Sequence, residues 1–575
     1  MLMKHLIPYL KKYKLQSIVA PLFKMLEACF DLAVPLIVAG IIDNGIAKGD
    51  KNYIISRFVI LILMAVLGLL SSFTAQFFAA KAAIGAATGL RHDLIKKIQS
   101  LSFSETDRIG KSTLITRLTS DINLVQNGLN IFLRLFMRSP FIVFGATVMA
   151  FTVNSDLAMI FLGVIVILFV VVFGIMAITR PLYKKVQNNL DTLTATTKEN
   201  LSGVRVIRAF SRQEIQKKRF DENNDRLLSS QLKVGNISAL LNPFTYLIVN
   251  AAIILVLYLG ASKVNEGAIL SGDIVALINY IGQILIELVK LATLITLIAR
   301  SITSMGRVGQ VLDTESSMTY GEVTSGSDSE NILNFKNVSL TYQGAGDASL
   351  SDISFTVRRG ETVGIIGGTG SGKSSLVHLI TRFYDATEGE ILLKGENIKH
   401  WEKNALNSCV SLVPQKPLLF SGTVRSNLLW GKKDATDEEL FDALEKAQAK
   451  DFVLKKEKGL DEEVSQGGVN FSGGQKQRLT IARALVSGAE ILILDDSSSA
   501  LDFATDAALR KALKSLKGNV TTFIVSQRTS SIAHADKILV LEDGCLVGEG
   551  KHDELVEGCS VYREIYHSQF KKEAE

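Results

Sequence analysis

"TVGIIGGTGSGKSSLVHLITRFY", residues 362–384, joins three signals in one run. "TVGII" reads as a buried strand, the glycine-rich piece after it as a tight loop, and "SLVHLITRFY" as a helix. Gly367, Gly372, Lys373 and Ser374 fit the spacing G-x-x-x-x-G-K-[ST]. With Gly368, Thr369, Gly370, Ser371 and Ser375 they form a loop whose glycines let consecutive backbone N–H groups curl around phosphate. The start of the following helix adds its partial positive charge. Lys373 is placed to reach the outer phosphates of ATP, and Ser374 to ligate Mg2+. A merely structural glycine turn has no need of the Lys-Ser pair between strand and helix.

Downstream, "ILILDDSSSALD" (residues 491–502) runs four apolar residues into two carboxylates. The apolar run reads as a strand buried on both faces, and Asp495 at its end suits a carboxylate that holds Mg2+ directly or through water. Asp496 follows, where a group that polarises an attacking water would stand. Upstream, Tyr342 can stack on an adenine ring; a lone aromatic at a strand end serves equally as core. Around these residues β-rich runs alternate with helical stretches: "ILNFKNVSLTY", "CVSLVP", "TTFIVS", "KILVLEDG". The alternation predicts an α/β P-loop domain over 331–575 with a largely parallel sheet. Residues 311–330, rich in Ser, Gly, Thr and acids, read as a linker.

The first 310 residues are of another kind. Apolar windows at 16–41, 54–80, 131–153, 157–179, 237–261 and 274–299 each supply the roughly 20 residues of a bilayer-spanning helix. In the third, Arg134 and Arg138 leave only a short purely apolar core, and only "NSD" separates it from the fourth. The connections alternate between short and long. Both long ones are rich in Lys and Arg, which places them, the N-terminus and the α/β domain in the cytosol. Lacking turn clusters, they extend the helices beyond the bilayer. Each contains one short amphipathic piece, "SFSETDRIGKS" and "LSGVRVIRAF", suited to docking on a soluble domain.

Composition agrees: the chain has 575 residues, is 47% hydrophobic and 21% charged, with a net charge of +6. In such a chain basic residues report orientation in a cytoplasmic (inner) membrane, and no nucleic-acid partner is expected. The four cysteines, Cys29, Cys409, Cys545 and Cys559, form no C-x-x-C pair, so neither zinc nor a disulfide framework is expected. The basic, partly apolar start "MLMKHLIPYLKKYK" reads as an interfacial helix leading into a retained span.

Further motifs carry a resemblance. "FSGGQKQR" (residues 471–478) resembles the signature of ABC transporter ATPases. Gln415 in "VPQKPLLF" stands at that family's Q-loop, "SSALD" at its D-loop, and "IVSQR" at its switch histidine. The whole chain resembles a half-transporter of the ABC exporter class, multidrug-exporter type. The resemblance implies a dimer with a second half-transporter. Each ATP then lies between the P-loop of one chain and the signature of the other, contacted there by Ser472, Gly473, Gly474 and Gln475. It also implies that Gln415 joins Ser374 and Asp495 around Mg2+. Two positions depart from the family pattern: Asp496 occupies the catalytic Glu position and Gln527 the switch His position. Gln466 stands where a glutamate-bearing loop is common. A carboxylate shorter by one methylene, and a side chain without a titrating imidazole, both imply slow hydrolysis at this chain's own site. That is the pattern of one subunit of a heterodimer with one degenerate and one competent site. The alternative is that Asp496 substitutes adequately in a homodimer.

The expected cargo is a small amphipathic substrate, a drug or lipid-like compound. Lys24, Glu27 and Asp31 in the first span, and Glu287 and Lys290 in the sixth, sit at spacings of three and four. Glu27, Asp31 and Glu287 either hold a cationic substrate or pair with lysines on their own helix. A lipid or peptide exporter, and an ATP-gated membrane protein that does not pump, remain the other readings.

Overall fold

The computed structural model describes residues 2–327, 329–497, 501–515 and 517–570. It divides into two units, Met1–Gln99 with Ser112–Asp313, and Ser100–Lys111 with Thr314–Glu575.

In chain order the helices are α1 (Leu2–Lys12), α2 (Lys14–Gly40), α3 (Lys51–Ser100), α4 (Phe103–Ile109), α5 (Lys111–Thr116), α6 (Ile122–Ile131), α7 (Arg138–Val153), α8 (Ser155–Ser202), α9 (Val204–Ala209), α10 (Gln213–Ala239), α11 (Leu241–Asn265) and α12 (Ser271–Asp313). All but α4 belong to the first unit. Among the described residues six helical segments are long and apolar enough to cross a membrane: Lys14–Ile46, Lys51–Ser100, Lys111–Val153, Ser155–Ser202, Gln213–Asn265 and Ser271–Asp313. They make this a multi-pass membrane protein. With no turn residues to stop it, α3 runs for 50 residues, about 75 Å at 1.5 Å per residue.

The third span begins much earlier than its apolar window. It is continued through two π-helical turns, Arg117–Asp121 and Phe132–Phe136, the second of which absorbs Arg134. The "NSD" hairpin is closed by Asn154, whose side chain accepts from the N–H groups of Asp156 and Leu157 and caps α8. The last helix continues to Asp313, three residues into the stretch read as linker.

Packing in this unit follows small residues. Ala79, Ala82, Ala83 and Ala86 of α3 share one buried cluster with Ala20 of α2, Leu129 of α6 and Leu133. The opposite face of α3, with Phe58, Leu63, Phe73 and Phe77, is exposed, as a lipid-facing surface requires.

The second unit holds two main sheets. β1 (Asn331–Leu340), β2 (Leu350–Arg358), β4 (Glu388–Leu393) and β5 (Glu396–Asn397) form an antiparallel sheet in the order β2-β1-β4-β5. The larger sheet is ordered β12-β11-β3-β10-β9-β6. Its strands are β3 (Thr362–Gly367), β6 (Val410–Val413), β9 (Ile491–Asp495), β10 (Thr521–Val525), β11 (Lys537–Glu542) and β12 (Cys545–Gly550). All its pairings are parallel except β11 with β12. β7 (Gly422–Thr423) and β8 (Glu463–Val464) make a separate short ribbon.

The larger sheet is the largely parallel one expected; the separate antiparallel sheet adds to it. The runs around residues 331–358 pair through a hairpin connection, which yields antiparallel strands. The "ILIL" run fits burial on both faces: Ile491 and Ile493 enter one core, Leu492 and Leu494 the other. The helix after the P-loop is also shorter than "SLVHLITRFY". It ends at Ile380, because Arg382 adopts φ +51° and turns Phe383 and Tyr384 aside.

Candidate nucleotide site

β3, β10 and β9 are neighbours in that order, so their C-terminal ends share one edge. The ends deliver the P-loop, Ser526–Gln527 and the pair Asp495–Asp496, respectively. Loops at the carboxyl ends of parallel strands are where such sheets bind ligands.

The P-loop leaves β3 at Gly367, where a Cβ would lie 2.1 Å from the Leu541 carbonyl oxygen. Gly372, at φ +95°, starts the Lys373–Ile380 helix in a left-handed conformation that glycine accepts without steric cost. The Lys373 ammonium folds onto its own loop, donating to the Gly367 carbonyl at 2.9 Å, the Gly368 carbonyl at 2.5 Å and Ser371 Oγ at 3.3 Å. Burial lowers its pKa, opposed by Asp496 and Asp495. Ser374 is exposed in the first turn of the helix, while Ser371 and Ser375 are buried. Thr369 and Gly370 are exposed beside them.

Tyr342 is half-buried. Its hydroxyl donates to Ser375 Oγ at 3.1 Å and lies 3.3 Å from His378 Nδ1, and its ring meets Tyr384 edge-on at 4.9 Å. α4 packs against the same cluster. Phe103 stacks on Phe383 with centroids 4.5 Å apart, and Tyr384 donates to Asp107. Glu105 accepts the backbone N–H groups of Ser102 and Ser317 at 3.1 and 3.2 Å. Burial works against its ionisation, and these hydrogen bonds outweigh burial, so its pKa is lowered. Of the two short amphipathic pieces, the first, with α4, is part of the α/β unit. The second, around α9, leaves Val206 and Phe210 exposed.

On the other side, burial raises the pKa of Asp495, and Asp496 adds to this while Lys373 opposes it. Asp496 sits at φ +44°, with its N–H on the Val525 carbonyl at 3.0 Å. Gln415 Nε2 donates to its Oδ2 at 3.2 Å. Gln527 is exposed at the end of β10. Gln466 is exposed in a short turn. In the signature, Ser472 caps the Gly473–Val486 helix. Its Oγ accepts the Gln475 N–H at 3.3 Å, and Gln475 Oε1 accepts the Ser472 N–H at 3.0 Å. Ser472 and Gly473 are exposed and Gly474 is half-buried, so a helix N-terminus faces outward. Ser498, Ser499 and Ala500 of the D-loop stretch lie outside the described residues.

Two profiles match the chain: the ABC transporter transmembrane region over residues 17–288 and the ABC transporter domain over residues 350–499. The Bacillus subtilis protein named Uncharacterized ABC transporter ATP-binding protein YfiB is 36% identical over 574 residues, covering 99% of both chains. The chain belongs to the ABC transporters. Within that family this is an exporter half-transporter, with six membrane helices joined to an ATP-binding domain, and such exporters act as dimers in the bilayer. ATP hydrolysis coupled to transport is the activity of this domain pair. The exporter is also 29% identical to the ATP-dependent lipid A-core flippase of Haemophilus ducreyi, over 99% of this chain and 98% of that one. A solved bacterial Atm1-family ABC exporter with ATP bound shares the fold, with a TM-score of 0.79 at 24% identity, covering 97% of this chain and 98% of that one.

The ionisable residues singled out in the exporter's first and sixth spans are paired. Lys24 pairs with Glu27 at 2.6 Å and Lys290 with Glu287 at 3.0 Å, each on one helix. Asp31 departs from the same-helix expectation. Arg138 of α7 reaches both Asp31 of α2 at 2.6 Å and Glu287 of α12 at 2.7 Å, and Ser139 donates to Glu287 at 2.7 Å. Arg138 appeared in the sequence only as an interruption of an apolar run. His378 and Tyr384 likewise gave no signal beyond lying near the P-loop.

Proposed function

We propose that this chain is one half of a heterodimeric exporter of amphipathic compounds in the cytoplasmic membrane. In this reading its own P-loop site holds ATP but hydrolyses it slowly. Its signature, Ser472 to Gln475, completes the working site of a second half-transporter. The observation that carries the proposal is Asp496. The carboxylate next to Asp495 is one methylene short of Glu, sits on a left-handed backbone, and is held by Gln415. An error of about one ångström in placing a group that orients water costs roughly 10²-fold in rate. Gln527 can hydrogen-bond a phosphate but cannot titrate near neutral pH.

The donor set fits Mg2+. Asp495 is a half-buried carboxylate beside a second one, Asp496, and its pKa is raised by burial and by that neighbour, so a divalent cation would favour its ionised form. Ser374 and Asp495 would hold the ion, with Gln415 beside them; it would neutralise charge on the β- and γ-phosphates. Lys373 would exchange the carbonyl oxygens of its own loop for phosphate oxygens. Tyr342 would offer a ring face to adenine while its hydroxyl stays on Ser375. Asp496 would orient the water that attacks the terminal phosphorus, from too far away to do so well.

The likeness to lipid A-core flippases supports an amphipathic cargo. Glu27, Asp31 and Glu287 remain the proposed contacts for a cationic one, which would have to displace Lys24, Arg138 or Lys290. The exposed residues around α9 offer a surface for the second half-transporter.

The test is transport by inside-out vesicles containing this chain alone, or together with a half-transporter that carries Glu and His at the two positions. Uptake only with both chains is expected. Full uptake by this chain alone would contradict the proposal.

A further inference from the structure

The loop after β10 is held by a residue far along the chain. The short helix Thr529–Ile532 has no side-chain cap from Arg528. Its first donors are met by Gln569, whose Oε1 accepts the Thr529 N–H at 2.9 Å and the Thr529 Oγ hydroxyl at 3.0 Å. The same amide donates from Nε2 to the Gln527 carbonyl at 2.7 Å. Thr529 is fully buried. One planar group therefore brackets residues 527–529. The polarities admit one orientation, since the Thr529 N–H can only donate and the Gln527 carbonyl can only accept.

The helix that carries Gln569, Ser560–Phe570, is itself anchored. Tyr562 is fully buried and 2.7 Å from His552 Nδ1. It shares a core with Ile532 and with Ile366, the residue before Gly367. Tyr562, Ile565 and Gln569 are spaced three and four apart, so they lie along one face. That face runs from beneath the P-loop strand to the loop that bears Gln527.

We propose that Gln569 is a positioning residue: it fixes the backbone of Gln527 so that the Gln527 side chain meets the γ-phosphate, and it thereby sets this site's preference for ATP over ADP. This rests on the reading of Gln527 as the switch position. The fixed backbone matters because a glutamine side chain loses more rotamer freedom than an imidazole when it holds one contact. A loop held on both sides removes the backbone part of that cost.

The test uses the full-length chain and competition of ATP and ADP against a fluorescent nucleotide. One hydrogen bond to a charged phosphate is worth roughly tenfold or more in affinity. Gln527→Ala should lower the ATP-to-ADP preference by about that factor. Gln569→Met should lower it similarly, and the double variant should lose no more than either single one, the non-additivity of residues acting as a unit. Gln569→Glu keeps an acceptor for Thr529 but puts a carboxylate oxygen against the Gln527 carbonyl. It should lose the preference while the chain stays folded at the assay temperature. If Gln527→Ala has no effect, the switch reading fails and the proposal with it. If Gln527→Ala acts but Gln569→Met does not, or if the two losses add, the positioning role alone is overturned. Loss of melting temperature at unchanged preference would reduce Gln569 to a helix cap and also overturn it.

Discussion

Gln415 Nε2 donates to Asp496 Oδ2 at 3.2 Å. The contact ties the loop after β6 to the end of β9 and leaves the Asp496 carboxylate facing an amide donor. Replacing Gln415 with Glu would set two carboxylates against each other where a triphosphate must also enter. Gln415→Glu should therefore weaken ATP binding strongly without Mg2+, and Mg2+ should recover most of the loss, because the divalent charge screens the added one. Nucleotide binding across a Mg2+ titration checks this. An equal loss at all Mg2+ concentrations would count against the placement of the ion near these groups.

A second expectation concerns pH. Burial pushes the His378 imidazole below its ordinary value, with Asp107 opposing. Because the folded pKa lies below the unfolded one, the unfolded chain binds the proton first as pH falls. The stability is fully present above the unfolded value of about 6.5 and is lost as pH drops from there through the folded pKa. The nucleotide-free protein should melt lower at pH 5.5 than at pH 7.5, and His378→Gln should remove part of that difference. An unchanged difference in the variant would contradict the assignment.

The Arg138 bridge gives a third. Glu287 is buried and takes hydrogen bonds from Arg138, Ser139 and Lys290. Breaking a buried pair by removing one charge costs about 3–5 kcal/mol, mainly because the other charge is stranded. Arg138→Gln should destabilise the protein more than Arg138→Gln combined with Glu287→Gln, as measured by thermal melting in detergent. If Glu287 instead serves a cationic cargo directly, Glu287→Gln will impair cationic dyes far more than neutral ones.

These residues also mark what the sequence could convey. The P-loop, the six spans and the signature were legible because each is a local pattern: a spacing, an apolar length, a cap followed by glycines. The Ser472 cap on Gln475 is of this kind, four residues read at once. The contacts of Arg138, of Tyr384 with Asp107, and of Gln569 with Gln527 were not, since they join positions that only the tertiary fold brings together. Arg138 looked like a defect in a span because its two carboxylates lie on other helices. The antiparallel sheet was missed for a related reason: a short β-rich run declares itself a strand, but the direction of its neighbour depends on the connection. The end of the P-loop helix at Ile380 was hidden by an apolar pattern that continues through Phe383, and Arg382 ends it through its left-handed backbone.

The most direct test of the account is ATP turnover by the purified two-chain exporter carrying Asp496→Asn or Ser472→Ala in this chain, with Gln475→Ala as the control for the helix cap. The cap itself is worth about 0.5–2 kcal/mol of stability, whereas a donor aimed at the γ-phosphate of a working site is worth roughly 10²–10³ in rate. The account predicts little change with Asp496→Asn, a modest change with Gln475→Ala, and a loss near that full factor with Ser472→Ala. Abolition of turnover by Asp496→Asn as complete as that by Ser472→Ala would make Asp496 a working catalytic group and would contradict the account.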